Sequence, residues 1–532
     1  AITDRSGTVL AQDETVYDVY LRVPAPPGTN LRETVNTIAA LTGGKDVETQ
    51  LAAFCSAVSA GELPVTPGLD SIEAAAYYRA GLVQSGAVRL AARGVRRWPD
   101  GTILPHTLGF TGPVTAEQWP AARAQGLAMD ATIGQNGLEA AYDTLLRGRD
   151  GQLQINVGLD GVTREAVQTS APVPGCTLVL TLDADLQKTL QTALQNQMDT
   201  LRTTKGIGAG REVRAGAAVV VDVRTGGILA AASLPDFDLS RYRSDYAALS
   251  ADSAAPLLDR VCQGLYAPGS AFKPAVAAAA LTAGIDPAAT VNCTGKYFYY
   301  SNYHPGCLQY GHRGPVDLRT ALEYSCNIFF YDVGRRLGVD VFSAMARQLG
   351  LATPTGVEIA EAQGRLTWSS DENYQAGLTL MAAIGQGNTA VTPLQLAAYA
   401  ATLANCGQRP ALHFADRAVN AATGETVWQY APTFTTVPGG EGVFGPIRDG
   451  MKRMARTTRV LREGPVACAA KTGSPQLADT LPGGGHYVNS VLIGYAPADD
   501  PQIAMAVVLE YGGGGSNAAP ILRAVLDAVF DG

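Results

Sequence analysis

The chain has 532 residues, more than one ordinary hydrophobic core serves, so two or more domains are expected. Hydrophobic residues make up 46% and charged ones 17%, which fits a globular protein and excludes a disordered one. The net charge of −8, with no long basic run, excludes nucleic acid as a partner, and no apolar stretch reaches the ~18 residues of a membrane helix.

The chain opens "AITDRSG", without methionine, which fits an anchor or signal cut away ahead of it. "DRSGTVLAQDETVYDVYLRV" within residues 1–30 has a Ser-Gly turn and alternating apolar residues, predicting strands. Residues 31–95 change to helical spacing in "LRETVNTIAALTGG" and "SIEAAAYYRAGLVQSG", both ending at glycines. Strand and loop patterns return from about Val95 to Gln168. "APVPGC", 171–176, reads as an extended linker and a domain boundary. Beyond it "TLVLTLDADLQKTLQTALQNQMDTL" predicts a strand and a helix entered at Asp183. "GAAVVVDVRTGGILAAAS" predicts a hairpin turning at Arg224–Gly227. Residues 250–405 are alanine-rich and helical in pattern. Three short strands follow in "VACAAKTG", "SVLIGYAP" and "QIAMAVVLEYG", then a closing helix, "APILRAVLDAVF". Two early strands, a helical centre and three late strands predict an α+β domain with one antiparallel sheet built from both ends.

Within this frame "YAPGSAFKPA" places Ser270 and Lys273 three apart at the predicted start of a helix. That spacing puts both on one side, and Pro274 is tolerated in a first turn that lacks N–H partners anyway. The helix dipole and burial both push Lys273 towards the neutral amine that a general base requires. "YSCNIFF" offers a hydroxyl and a carboxamide in Ser325 and Asn327. "CAAKTGSP" ends a strand in Lys471-Thr472-Gly473-Ser474: a positive charge, a hydroxyl and a bare backbone for close approach. Singly each pattern is commonplace; together and in this order they are specific.

The three motifs resemble the Ser-x-x-Lys, Ser-x-Asn and Lys-Thr-Gly set of the penicillin-recognising serine acyltransferases. "RRWPDGTILPHTLGF", "GLEAAYDTLLRGRDG", "PGCTLVLTLDADLQ" and "IGQGNTAVTPLQLAAYAATLANCG" extend the resemblance to class B penicillin-binding proteins over nearly the whole chain, elongation type rather than division type. The resemblance implies a transpeptidase fold, a five-stranded antiparallel sheet flanked by helices with an all-helical lobe, over residues 171–532. It also implies a pedestal (dimerisation-type) domain over 1–170, its helical head at 31–95. It implies a D,D-transpeptidase of peptidoglycan stem peptides outside the cytoplasmic membrane, held by an N-terminal anchor absent from this chain. Such a protein needs no cofactor for catalysis, is trapped by β-lactams and works with a membrane peptidoglycan glycosyltransferase. Ser270 would be the nucleophile, Lys273 its base and Ser325 a proton relay. Asn327 would hold the substrate amide, Lys471 and Thr472 its carboxylate, and the N–H groups of Ser270 and Ser474, next to Gly473, the oxyanion. Two alternatives stay open: a β-lactam-hydrolysing or β-lactam-sensing protein of the same fold, and a non-catalytic cell-wall scaffold.

Eight cysteines are too few for a disulfide scaffold of this length. Four residues between the first two motifs stand out, Cys293, Cys307, His312 and Cys326, the last lying inside Ser-x-Asn. Three thiolates and an imidazole make a complete tetrahedral set for a structural Zn2+, and some class B relatives carry a metal near here. A Cys293–Cys307 disulfide is the competing reading. His106, His304, His413 and His486 have no partner at catalytic spacing and receive no role.

Overall fold

The computed structural model describes residues 1–43, 46–58, 61–157, 163–307 and 312–531. Its contacts divide it into two compact units, residues 11–99 and residues 1–10 with 100–532.

The smaller unit is built on strands β1 (Val9–Val23, most of it in this unit), β2 (Gly61–Leu69) and β3 (Val88–Arg97). β1 pairs antiparallel with both others. Helices α1 (Leu31–Leu41), α2 (Val47–Ala57) and α3 (Ser71–Arg79) lie between the strands in sequence. Each starts on a side chain that satisfies an orphan N–H, and Asp70 and Glu73 form a reciprocal capping box on α3. Val19, Leu21, Val35, Ile38, Val65 and Tyr77 share its core. Thus 31–95 holds the predicted helices but also two strands. "GELPVTPGL" has two prolines that a helix interior rejects, and "VRLAARGVRR" has a long partner in β1.

In the larger unit β4 (Thr177–Leu180) leads into α4 (Ala184–Arg202), whose N-cap Asp183 accepts from the N–H groups of Asp185 and Leu186. β5 (Gly216–Asp222) and β6 (Ile228–Leu234) form the predicted hairpin. Asp222 accepts from Arg224 N and Thr225 N, and Gly226 supplies the positive φ the turn requires. The helical middle includes α5 (Lys273–Thr282), α6 (Leu318–Glu323), α7 (Asn327–Leu337) and α8 (Pro393–Ala404). Strands β7 (Ala415–Val419) and β8 (Thr426–Gln429) then join β4 in a second sheet. After helix α9 (Gly440–Thr457) come β9 (Ala469–Gly473), the small hairpin β10 (Gln476–Thr480) and β11 (His486–Val488), β12 (Ser490–Ala496), β13 (Ile503–Leu509) and α10 (Ala519–Phe530).

The principal sheet runs β6-β5-β13-β12-β9, antiparallel throughout, two strands from before the helical region and three from after it. Its inner strands are buried on both faces, which is why they read as unbroken apolar runs. Leu190, Leu194 and Met198 of α4 and Ile521, Leu522 and Val525 of α10 cover one face in a shared core. α8, wholly buried, packs against β5 and β13. β9 is left as an edge strand, and the edge is where the chemistry assembles. No helix among the described residues is long and apolar enough to cross a membrane.

Candidate active site

Three segments meet at that edge. The turn Gly269–Phe272 is a short 3-10 helix that runs directly into α5, so the α-helix starts at Lys273 and Ser270 sits on the turn that feeds it. Pro274 occupies the first α-helical turn, as the sequence required. Gly269 adopts φ +55°, and a Cβ there would lie 2.9 Å from Pro475 Cδ and 3.2 Å from Ser474 N. A Cβ on Gly473 would lie 2.2 Å from Pro268 O. These two glycines let the end of β9 and the serine turn touch backbone to backbone, which brings Ser474 N beside the Ser270 turn.

The second segment is the connection from α6 to α7. Ser325 has φ +56°, unusual for a residue with a side chain, and Asn327 opens α7. Lys273 is completely buried, and its Nζ donates to Ser325 O at 2.7 Å, Ser325 Oγ at 3.2 Å and Asn327 Oδ1 at 2.7 Å. The carbonyl that Lys273 engages is that of the left-handed residue, so the lysine helps hold this conformation. Lys471, equally buried on β9, donates to the same Ser325 Oγ at 2.9 Å and to Thr472 O at 3.0 Å. Ser325 Oγ thus lies between two amines.

Burial pulls the Lys273 ammonium down to about 7, against a partial rise caused by the neighbouring Cys326 and Cys307. Burial, and then the charge of Lys273, hold Lys471 well below the ordinary lysine range. Two ammonium groups sharing one hydroxyl in a dry pocket repel, so the free protein favours at least one neutral amine.

Sequence spacing brought Lys273 towards Ser270; the structure turns its amine to the second motif, and among the described residues Ser270 Oγ has no hydrogen-bond partner. The 3-10 turn keeps Ser270 and Lys273 on one side; the amine is drawn away by two acceptors at 2.7 Å, Ser325 O and Asn327 Oδ1, which the α6–α7 connection brings to it. Ser474 Oγ accepts from Gly515 N at 2.8 Å, which fixes the strand end. All eight predicted motif residues, Ser270, Lys273, Ser325, Asn327, Lys471, Thr472, Gly473 and Ser474, belong to these three segments.

Cys293, Cys307, His312 and Cys326 converge next to them. All four are buried, and their donor atoms lie within 4.8 Å of one another. Cys307 Sγ is 3.6 Å from His312 Nε2, His312 Nδ1 is buried with no hydrogen-bond partner among the described residues, and Arg313 Nη1 donates to Cys293 Sγ at 3.4 Å. The eight cysteines are free thiols, Cys293 and Cys307 among them. A hydrogen bond with Cys307 and burial push the Cys326 thiol far up.

Two of the remaining histidines, His106 and His413, make structural contacts. His106 Nε2 bonds Pro256 O at 2.7 Å, and His413 stacks on Tyr430 at 3.6 Å. Sequence reading missed Glu358, whose carboxylate accepts from Phe414 N, Ala415 N and Tyr142 Oη and fixes the start of β7. No local pattern marks such a long-range anchor.

A family model described as the penicillin-binding protein transpeptidase domain matches residues 216–527, and one described as the penicillin-binding protein dimerisation domain matches 1–180. The chain belongs to the penicillin-binding protein transpeptidase family. Its relatives include the peptidoglycan D,D-transpeptidase MrdA of Salmonella typhimurium, 30% identical over 477 residues, 82% of this chain and 73% of the relative. Among solved structures, a chain of a peptidoglycan synthase complex coordinating polymerization and crosslinking aligns with TM-score 0.78 at 30% identity, covering 100% of this chain and 89% of that one. The penicillin-binding protein PBP2 of Helicobacter pylori, solved with MreC, aligns with TM-score 0.79 at 23% identity over 100% of this chain and 96% of that one, a likeness of fold.

Proposed function

We propose that this protein is an elongation-type D,D-transpeptidase that cross-links peptidoglycan stem peptides through an acyl-enzyme on Ser270. The observation that carries the reading is the pair of buried lysines joined through Ser325 Oγ, with Asn327 on one of them, at the edge of the sheet. Ser270 Oγ attacks the carbonyl between the two D-alanines while its proton passes to the neutral amine of Lys273. The hydrogen bond between them closes as substrate enters, in keeping with the loose geometry of many resting sites. The N–H groups of Ser270 and Ser474 receive the oxyanion, a term of roughly 3–4 kcal/mol per donor in other acyl-transfer enzymes. The C–N bond then breaks, and Ser325 relays the proton to the departing D-alanine amine. Asn327 holds the donor amide; Lys471 and Thr472 hold the terminal carboxylate, whose charge compensates the burial of the Lys471 ammonium. An amine from a second stem finally attacks the Ser270 ester and releases the serine.

Residues 171–532 form the transpeptidase domain in this reading and 1–170 the pedestal. The enzyme works outside the cytoplasmic membrane from an N-terminal anchor, beside a membrane enzyme that polymerises the glycan. That partnership is supported by the likeness to the synthase-complex chain. Cys293, Cys307, His312 and Cys326 hold a structural Zn2+: three thiols, an imidazole with an orphaned ring nitrogen and a common buried centre fit that ion. The ion would supply the positive charge that lets the buried thiols ionise, and through Cys326 the site braces Ser325 and Asn327.

Treatment with a fluorescent penicillin followed by mass spectrometry tests the reading. A long-lived adduct on Ser270 is expected, and none in Ser270→Ala. Rapid release of hydrolysed penicillin would favour a β-lactamase, and absence of any adduct a scaffold.

A further inference from the structure

The segment "KYFYYSNYHPGC", Lys296–Cys307, lies between the first two motifs and displays an unusual surface. Phe298 is 64% exposed and Tyr299 58%, with Tyr303 also on the surface. Tyr324, directly before Ser325, adds a fourth exposed ring. Exposed aromatic groups are normally scattered singly; several on one short loop beside a reaction centre mark a binding surface.

The loop is held as a rigid display. Its neck closes through Tyr297 N to Pro305 O at 3.0 Å and Cys307 N to Gly295 O at 2.9 Å. Tyr297 is buried beneath it, its hydroxyl donating to Asp332 at 3.0 Å and accepting from Arg335 Nε at 2.9 Å. The Arg335 guanidinium lies 3.9 Å from the Tyr299 ring centroid, and Tyr300 Oη donates to Ala376 O at 3.3 Å. Cys307 ties the far end into the buried thiol cluster, and His312 of that cluster stacks on Tyr324. A loop tied down at this many points has already lost its conformational freedom, so binding on it costs little ordering entropy.

One bond ties this surface to the reaction centre. Asn327 Nδ2 donates to Gly306 O at 3.1 Å, so the side chain proposed to hold the donor amide is bonded to the neck of this loop. The proposed function orders the donor across the site. Its terminal carboxylate lies at Lys471 and Thr472, the scissile carbonyl at Ser270 and the preceding amide at Asn327. The next residues upstream must leave past Asn327. We infer that the aromatic loop seats the donor stem peptide upstream of its D-alanine pair, with Phe298 and Tyr303 as specificity-determining residues. Their exposed rings would cover the apolar parts of the stem residues that precede the D-alanine pair. The inference rests on the transpeptidase reading and deepens it.

The test compares two donors on the intact protein: a blocked acyl-D-Ala-D-Ala too short to reach the loop, and a full stem pentapeptide. Wild-type protein should prefer the pentapeptide in kcat/KM. In Phe298→Ser and Tyr303→Ser that preference should fall, by about tenfold in the double variant, as expected for loss of aromatic contacts. A preference that stays at the wild-type value overturns the inference, whether or not the absolute rates drop, because a merely structural loop would affect both donors equally. Penicillin labelling of Ser270 separates the two levels. Wild-type protein without an adduct fails the transpeptidase reading, whereas labelled variants with the full preference fail only the present one.

Discussion

If Lys273 is the base, the acylation rate must follow its neutral fraction, and the burial of this amine sets where that happens. With its pKa brought to about 7, about three quarters of the amine is neutral at pH 7.5; at the ordinary 10.5 only about one part in a thousand would be. Burial therefore multiplies the available base several hundredfold at about neutral pH. The sign follows from the active form being the deprotonated one. Acylation is slow in acid and rises as pH passes the depressed pKa, by about tenfold between pH 6 and pH 8, before levelling. The assay is stopped-flow acylation by a penicillin stable over this range, read as second-order rate constant against pH. Because Lys273 and Lys471 share Ser325 Oγ, the midpoint belongs to the coupled pair. Lys273→Arg, which keeps the charge but cannot release a proton, should lower acylation by about 10²–10⁴. A flat profile between pH 6 and pH 8, a midpoint near the ordinary lysine value, or an active arginine variant would refute the role given to burial.

Gly473→Ala brings a methyl group against Pro268 O and pushes β9 away from the serine turn. Acylation should fall about 10²-fold while far-ultraviolet circular dichroism stays native, since the damage is one misplaced oxyanion donor. The purified protein should carry one zinc per chain by native mass spectrometry. Strong chelation or Cys307→Ser should lower Tm and slow acylation together through Ser325 and Asn327; a metal-free protein of undiminished Tm would dismiss the ion. Glu358→Ala leaves the N–H groups of Phe414 and Ala415 unpaired and should cost about 2–4 kcal/mol in denaturant unfolding, whereas a loss below about 0.5 kcal/mol would show that water replaces the carboxylate.

The two-ended sheet was legible because its strands are short apolar runs set off by turn residues, and the Asp222–Gly227 turn and the Asp183 cap use local chemistry that a sequence displays. The motif residues were legible as types and order. Their mutual bonds were not: which acceptor Lys273 finds depends on how α5 packs beside the α6–α7 connection, and the left-handed backbone of Ser325 has no local cause. The same distinction explains the 31–95 segment. Helical spacing and closing glycines announced α1 and α3, whereas β2 and β3 owe their form to pairing with β1, far from them in the chain.

The central pairing of the principal sheet joins Gly216–Asp222 to Ile503–Leu509, segments far apart in the chain. β9, which carries Lys471, reaches the rest of that sheet only through β12, and β12 only through β13. A polypeptide in which Ile503–Leu509 has not paired with Gly216–Asp222 consequently has a serine turn but nothing to set against it. Reactivity arrives only with that pairing, and a copy that has not made it stays chemically mute. Contacts so distant along the chain also make folding slow, so the long alanine-rich middle must be kept from aggregating until those strands pair.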